Sequence, residues 1–189
     1  FFFFYQNAYE LALELIEINK KRKSIEKNMK ENALKQLDMQ NMNKLENDDN
    51  ENMFSCVVYD DEFHEGVIGI LASRIKDMFY VPTIVFSKVE NTNQLKGSGR
   101  SIESIHLRDA LDYVYKKYPD CIIKFGGHSM AAGLTINADK LDELKEGLNN
   151  YCKMISDNKK PTQIIEVDLE IDLSDVKLYE YIKEVKAAL

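Results

Sequence analysis

Two short stretches gather the residues able to grip an anion. In Phe125-Gly126-Gly127-His128-Ser129-Met130-Ala131-Ala132-Gly133-Leu134-Thr135-Ile136, three of the chain's eight glycines surround one of its three histidines. Gly126 and Gly127 have access to backbone angles closed to other residues and let a ligand approach the bare chain, while His128 stands at the lip of the turn with ring donors. In Lys96-Gly97-Ser98-Gly99-Arg100-Ser101, Arg100 offers a fork suited to bidentate phosphate contact, Ser98 and Ser101 offer hydroxyls, and Gly99 permits backbone approach. Together this is the residue set for one phosphate. The same residues also read as a glycine turn with a surface histidine and a strand end with a surface arginine, and residue types alone leave both open.

A third candidate is His64, in His64-Glu65-Gly66-Val67-Ile68-Gly69-Ile70-Leu71-Ala72-Ser73-Arg74. A helix beginning after a His-x-Gly turn presents free N–H groups, which suit an anion. The other reading is a capping or interdomain histidine, and Glu65 adds a negative charge beside the supposed anion.

The elements that must position these residues follow from hydrophobic period. Ala8, Leu11, Leu15, Ile18, Arg22, Ile25 and Met29 recur at steps of three and four, the seam of a helix over about Tyr5 to Leu37 that is expected to pack on a neighbouring domain. Asp38 to Asn52 has the composition of a polar loop, and the domain boundary is placed there. Phe54–Tyr59 reads as a buried strand, and Val67, Ile68, Ile70, Leu71, Ile75, Met78 and Phe79 as a helix in which Gly69 allows a close crossing on the sheet.

Val81–Phe86 and Gln94–Ile102 are further strands with a turn at Glu90–Asn93, and Leu107 to Tyr115 is a helix that His106 begins. Strands on either side of the Gly126 turn come next, then a helix through Leu141, Leu144, Leu148, Tyr151 and Ile155 with Asn137 as its cap. Ile164–Leu173 alternates as a half-buried strand, and Ser174 caps a last helix to Leu189. The fold class is α/β, a mixed sheet of about five strands flanked by helices and preceded by a long helix.

Composition narrows the function. At 189 residues, 44% apolar and 30% charged, the chain suits a globular domain with a real core. Its net charge of −7 argues against bulk electrostatic binding of nucleic acid, so any such grip must be local. Beyond Ala138 there are twelve Asp/Glu against eight Lys, while Glu51–Asn137 holds eleven against nine Lys/Arg, including Arg74, Lys96, Arg100, Arg108 and Lys124. Cys56, Cys121 and Cys152 read as buried thiols of a reducing, cytoplasmic setting. The three histidines are isolated from one another and from the cysteines, so no metal site is expected from this chain alone. No apolar run reaches bilayer length, and the lack of an initiator methionine suggests part of a longer protein.

The Gly126-Gly127-His128-Ser129-Met130-Ala131-Ala132-Gly133 segment resembles the Gly-Gly-His-x-x-Ala-Ala-Gly signature of the DHH-associated domain of DHH phosphoesterases. The His64–Arg74 segment, Val81-Pro82-Thr83-Ile84-Val85 and Gly97–Ile102 precede it in the order and spacing of the RecJ-like branch, single-strand-specific exonucleases. Phe63, Glu65 and Ser104-Ile105-His106 depart from that pattern, which usually has Trp, Pro and Gly-Phe-Asp.

The resemblance implies a linker helix over 1–40, a polar loop over 41–52, a nucleic-acid-binding domain over 53–160, and the start of an OB-type domain over 161–189. It also implies a 5′ to 3′ exodeoxyribonuclease using two Mn²⁺ or Mg²⁺ ions held by a DHH domain in cis, a domain with no Asp-His-His counterpart in this sequence. Single-stranded DNA is then the partner, with Arg100, His128, Gly126, Gly127, Ser98, Gly99, Ser101 and His64 on its phosphate and no catalytic group in this chain. The alternatives are a nanoRNase or cyclic-dinucleotide phosphodiesterase of the same superfamily, or a non-catalytic nucleic-acid-binding or scaffold module.

Overall fold

The computed structural model describes residues 2–44 and 53–163, without the side chains of 2–6 and 38–44. Helix α1 (Phe2–Lys44) leads into strand β1 (Cys56–Tyr59), α2 (Glu65–Phe79), β2 (Thr83–Lys88), β3 (Gln94–Arg100), α3 (Leu107–Lys117), β4 (Ile122–Gly127), β5 (Ala131–Asn137) and α4 (Leu141–Ile155). The five strands form one sheet in the order β1-β2-β3-β5-β4. β1 and β2 are parallel, as a helical crossover through α2 requires, and the other three pairings are antiparallel.

Helices cover both faces. On one, Ile84, Phe86, Leu95, Leu134 and Ile136 of the strands meet Leu107, Leu111 and Val114 of α3 and Leu144 and Leu148 of α4. On the other, Val58 and Val85 meet Val67, Leu71 and Ile75 of α2, with Met29, Ala33 and Leu37 of α1 behind them. β2 is therefore buried on both sides, which explains its continuous apolar run. Asn149 of α4 accepts the backbone N–H groups of Phe54 (2.8 Å) and Ser55 (3.1 Å), tying the start of β1 to the helix layer.

Several expectations shift. α1 runs through Lys44, so Asp38–Lys44 is helical rather than loop; Leu37, Met39, Gln40 and Met42 are good helix formers that offset the Asn and Asp beside them. The seam of α1 divides: Met29 is buried and Ile25 half-buried within this chain, whereas Leu11, Leu15 and Ile18 are about 60% exposed. Arg22 lies beside Glu26 (3.2 Å), which also receives Arg74 of α2 (3.2 Å). Asn137 does not cap α4: a single 3₁₀ turn, Ala138–Lys140, intervenes, and the Asn137 side chain makes no capping bond. The strand expected over Ile164–Leu173, the helix to Leu189 and most of the 161–189 segment lie outside the described residues, as do 45–52.

All three cysteines are free and buried, and burial pushes their thiols up, to about 12 for Cys56 and Cys152 and about 11 for Cys121. Among the described residues no helix is long and apolar enough to cross a membrane.

Candidate phosphate-binding site

Period-two alternation in β3 decides which motif residues face a ligand. Leu95, Gly97 and Gly99 point into the α3–α4 layer, while Lys96, Ser98 and Arg100 point to the α2 side. A side chain at Gly99 would come within 2.8 Å of Leu107, so this glycine makes room for the core. Its strand pairs with β2 on one side and β5 on the other, which occupies the backbone. Gly99 therefore does not offer itself to phosphate. Ser101 is likewise structural: it is 1% exposed, its Oγ donates to Ile105 O (2.7 Å), and its N–H donates to Met130 O (2.9 Å).

Arg100 is half-buried against α2. Its Nη1 donates to Ser98 Oγ (3.1 Å) and to Gly99 O (2.8 Å). Among the described residues no carboxylate lies within ion-pair distance of Arg100. A side chain on Gly69 would sit 3.1 Å from both Arg100 Nη2 and Ser98 Oγ. Gly69 thus clears the space in which the guanidinium lies, a role the sequence suggested only as a close helix crossing.

β4 and β5 form a hairpin whose loop is tied to the end of β3 and to α3. His128 N–H donates to Ala131 O (2.8 Å), and Leu107 N–H donates to Ser129 O (2.8 Å). Gly127 has φ +150°, and a Cβ there would fall 2.4 Å from Ala131 O, so both backbone and crowding demand glycine. Arg100 pairs with Ala131, and His128 follows Gly127 across the hairpin. Arg100, Ala131 and His128 therefore form a row across three strands, with the arginine and histidine backbones about 10 Å apart, two strand spacings. One row back lie Ser98, Gly133 and Gly126, and Gly126 is exposed with nothing within 4 Å of the position its Cβ would take.

His64 stands apart from this row. It is the N-cap of α2, its Nδ1 accepting the Gly66 N–H (3.1 Å), while Val67 N–H bonds His64 O (2.9 Å). These bonds occupy N–H groups that an anion would use, and Glu65 adds a carboxylate in the first turn. His64 also precedes Gly69 by five residues, about 7.5 Å of helix. His64 therefore caps α2 through Nδ1, and His106 caps α3 in the same way through Asp109 N (3.3 Å).

The expected residues thus separate. Arg100, Ser98, His128 and the Gly126–Gly127 turn share one region, His64 caps a helix, and Gly99 and Ser101 hold the frame. Among the described residues no group of three or more His, Cys, Asp or Glu is placed to hold a metal ion.

Comparison with known proteins agrees with this frame. The family described as "DHHA1 domain" matches residues 50–154. The single-stranded-DNA-specific exonuclease RecJ of Haemophilus influenzae is 38% identical over 171 residues, 90% of this chain and 29% of that protein. The protein of the same name from Escherichia coli is 45% identical over 130 residues, 69% of this chain and 22% of its own length. The crystal structure of Thermus thermophilus RecJ in complex with Mn²⁺ superposes with a TM-score of 0.67 at 25% identity, covering 92% of this chain and 23% of that one. The chain spans less than a third of the length of the curated relatives it matches. By its five-stranded sheet, its ordered motifs and these matches, the chain belongs to the DHHA1 domain family, in its RecJ-like form.

Proposed function

We propose that this chain is the substrate-orienting part of an enzyme that hydrolyses phosphodiester bonds of single-stranded DNA, working from the 5′ end with Mn²⁺ or Mg²⁺ held by a DHH domain. The observation that carries the reading is Arg100. A guanidinium half-buried against Gly69 that, among the described residues, bonds only a hydroxyl and a carbonyl and faces no carboxylate is positioned to exchange weak neutral partners for a phosphate.

His128 and the Gly126 backbone complete a shallow cradle beside it. Among the described residues no group of three or more His, Cys, Asp or Glu is placed to hold a metal ion, and on this reading the cleavage chemistry is assigned to the DHH domain. This chain's residues orient the strand, which lowers a barrier by positioning. The exposed seam at Leu11, Leu15 and Ile18 supports a further part of the reading, that α1 links this domain to the catalytic one.

In a protein carrying this chain behind a DHH domain, Arg100→Ala is expected to slow strand hydrolysis about 30- to 1000-fold, a loss of about 2 to 4 kcal/mol of transition-state stabilisation. Arg100→Lys restores little, because an ammonium lacks the fork. His128→Ala lowers turnover while leaving metal binding intact. Melting temperatures stay near wild type, since both side chains face solvent or ligand more than core. Unchanged single-turnover rates for Arg100→Ala overturn the reading.

A further inference from the structure

The row of Arg100 and His128 has a counterpart at the other end of the same face. Lys96 of β3 pairs with Thr135 of β5, and Thr135 pairs with Lys124 of β4. The two lysines therefore stand in one row on the α2 side, about 10 Å apart at the backbone and four residues, about 14 Å, along β3 from Arg100. Between the cationic rows lies the row of Ser98, Gly133 and Gly126. α2 covers β2 and β3 and leaves β5 and β4 open here, where Lys124, Gly126 and Gly133 are exposed. The result is a groove of about 230 Å³ bounded by Lys96, Lys124, Thr135, Gly126 and Gly133.

We propose that Lys96 and Lys124 form a second anion subsite, which takes a further phosphate of the single strand whose end is held at Arg100. The inference rests on the function proposed above and extends it along the sheet. Among the described residues Lys124 faces no carboxylate within ion-pair distance, while Lys96 is paired with Glu65 at the start of α2 and so is held at the rim of the groove. Sugar-phosphate backbone has the matching chemistry, a regularly spaced row of negative charges that a cationic groove can track.

The floor of the groove supports the same occupant. A side chain at Gly126 would meet nothing within 4 Å, and one at Gly133 would reach only Gly97 O at 3.9 Å. Neither glycine has a positive φ. Glycine in a strand interior weakens the strand and marks sites where another backbone or a ligand approaches closely. The free protein requires glycine at neither position, whereas a strand lying between the two cationic rows requires both.

Fluorescence anisotropy on the whole chain, with a labelled thymidine dinucleotide and a labelled octanucleotide, tests the subsite. Lys96→Ala/Lys124→Ala is expected to weaken the octanucleotide roughly tenfold and to flatten its log-affinity against log-salt slope by about 0.7, the value for one phosphate released from a single strand. Dinucleotide binding should not change, because it cannot reach from Arg100 to the lysine row. Gly126→Val should weaken the octanucleotide with an unchanged melting temperature. Lys116→Ala on α3 serves as a charge control and should do neither.

Equal loss for both lengths, equal loss in the control, or an unchanged octanucleotide slope overturns the subsite. If Arg100→Ala weakens both lengths while the lysine variant weakens neither, the subsite fails and the Arg100 site stands. If Arg100→Ala changes nothing, or the wild-type chain binds neither oligonucleotide, the Arg100 site fails and the subsite falls with it.

Discussion

On the side of the sheet sealed by α3 and α4, side chains added at Gly97 and Gly99 would lie 2.5 Å from Phe86 and 2.8 Å from Leu107. On the other side, Gly133 of the adjacent β5 and Gly126 of β4 beyond it have missing side chains that would enter open space or meet only Gly97 O at 3.9 Å. One pair of glycines is fixed by what the fold packs above it, and the other pair by nothing in the fold. Glycine in a motif is thus two kinds of evidence, and only the second kind points to a ligand. Both faces carry a buried core, but on the α2 side it stops short of β4 and β5, and that uncovered end is where the proposed ligand would lie.

The contrast would weaken if the α2 side were simply looser throughout. The thiols test that, because Cys121 and Cys152 lie in the α3–α4 layer and Cys56 in the α2 layer. Burial raises all three from the usual 9.0, to about 11 for Cys121 and about 12 for the others, so each stays protonated in the folded protein where the unfolded chain ionises. Stability is then complete below pH 9 and falls as pH rises towards the folded values, by up to about 1.4 kcal/mol per pH unit for each thiol. Urea midpoints between pH 8 and pH 11 should show a shallower decline in Cys56→Ala and in Cys121→Ala/Cys152→Ala than in wild type. A slope unchanged by Cys56→Ala would mean that the α2 layer admits water and that its openness is general.

A second test strikes the sealed face directly. Gly97→Ala forces a methyl against the Phe86 ring and against Leu134 Cδ2, 2.7 Å away, neither of which has room to retreat in a packed layer. The expected loss is about 1 to 3 kcal/mol by urea denaturation. Gly126→Ala, on the open face, should change stability by less than about 0.5 kcal/mol. Equal losses at both positions would erase the distinction.

Much of the frame was legible because period is a strong signal. The apolar spacing through Leu141, Leu144, Leu148 and Ile155 matches α4, and the five strands fall where β-rich runs were read. The motif residues were harder, for a physical reason. Ser98 and Ser101, or Gly99 and Gly126, look alike in sequence, and only strand alternation and pairing separate the exposed from the buried.

Counting by twos back from Arg100 would have placed Lys96 and Ser98 on its face. Counting by twos back from His128 would likewise have reached Gly126 and Lys124, because the β4–β5 register is regular from Lys124 to Gly127 and shifts only between Ile122 and Lys124. The pairing that sets Lys124 in one row with Lys96, however, lies across strands. A one-residue slip moves a whole strand's side chains to the opposite face, and a bulge is a cross-strand property invisible in one segment. The end of α1 was misread because Asn and Asp suggest loop, while the residues between them sustain a helix.

Within the open face, Gly69 offers a test in which stability and binding move in opposite directions. It lies inside α2, where alanine is preferred to glycine by up to about 1 kcal/mol. The atoms an added methyl would meet are the ends of mobile side chains, Arg100 Nη2 and Ser98 Oγ, rather than backbone. Gly69→Ala should therefore leave the domain as stable or more so by thermal melting, while displacing the guanidinium and weakening single-strand binding about tenfold. Wild-type binding would show that the position of the guanidinium against α2 is irrelevant to the ligand.

The smallest effect is expected at Glu65, and its signs are the reverse. Its carboxylate pairs with Lys96 at the rim of the groove and lies in the first turn of α2, where it faces the positive end of the helix dipole. Both partners are more than half exposed, so the pair itself contributes little to stability. Glu65→Gln removes the favourable helix-end charge and should cost about 0.3 to 1 kcal/mol of stability. It also removes a negative charge that competes with phosphate for Lys96, so octanucleotide affinity at low salt should rise about two- to threefold, with the gain fading as salt screens the groove. The Lys96→Ala background supplies the control, because without the lysine the Glu65 carboxylate has nothing to compete for and the gain should shrink. Weaker octanucleotide binding by Glu65→Gln in the Lys96-containing chain would show that the ion pair holds the lysine ready for phosphate rather than competing with it.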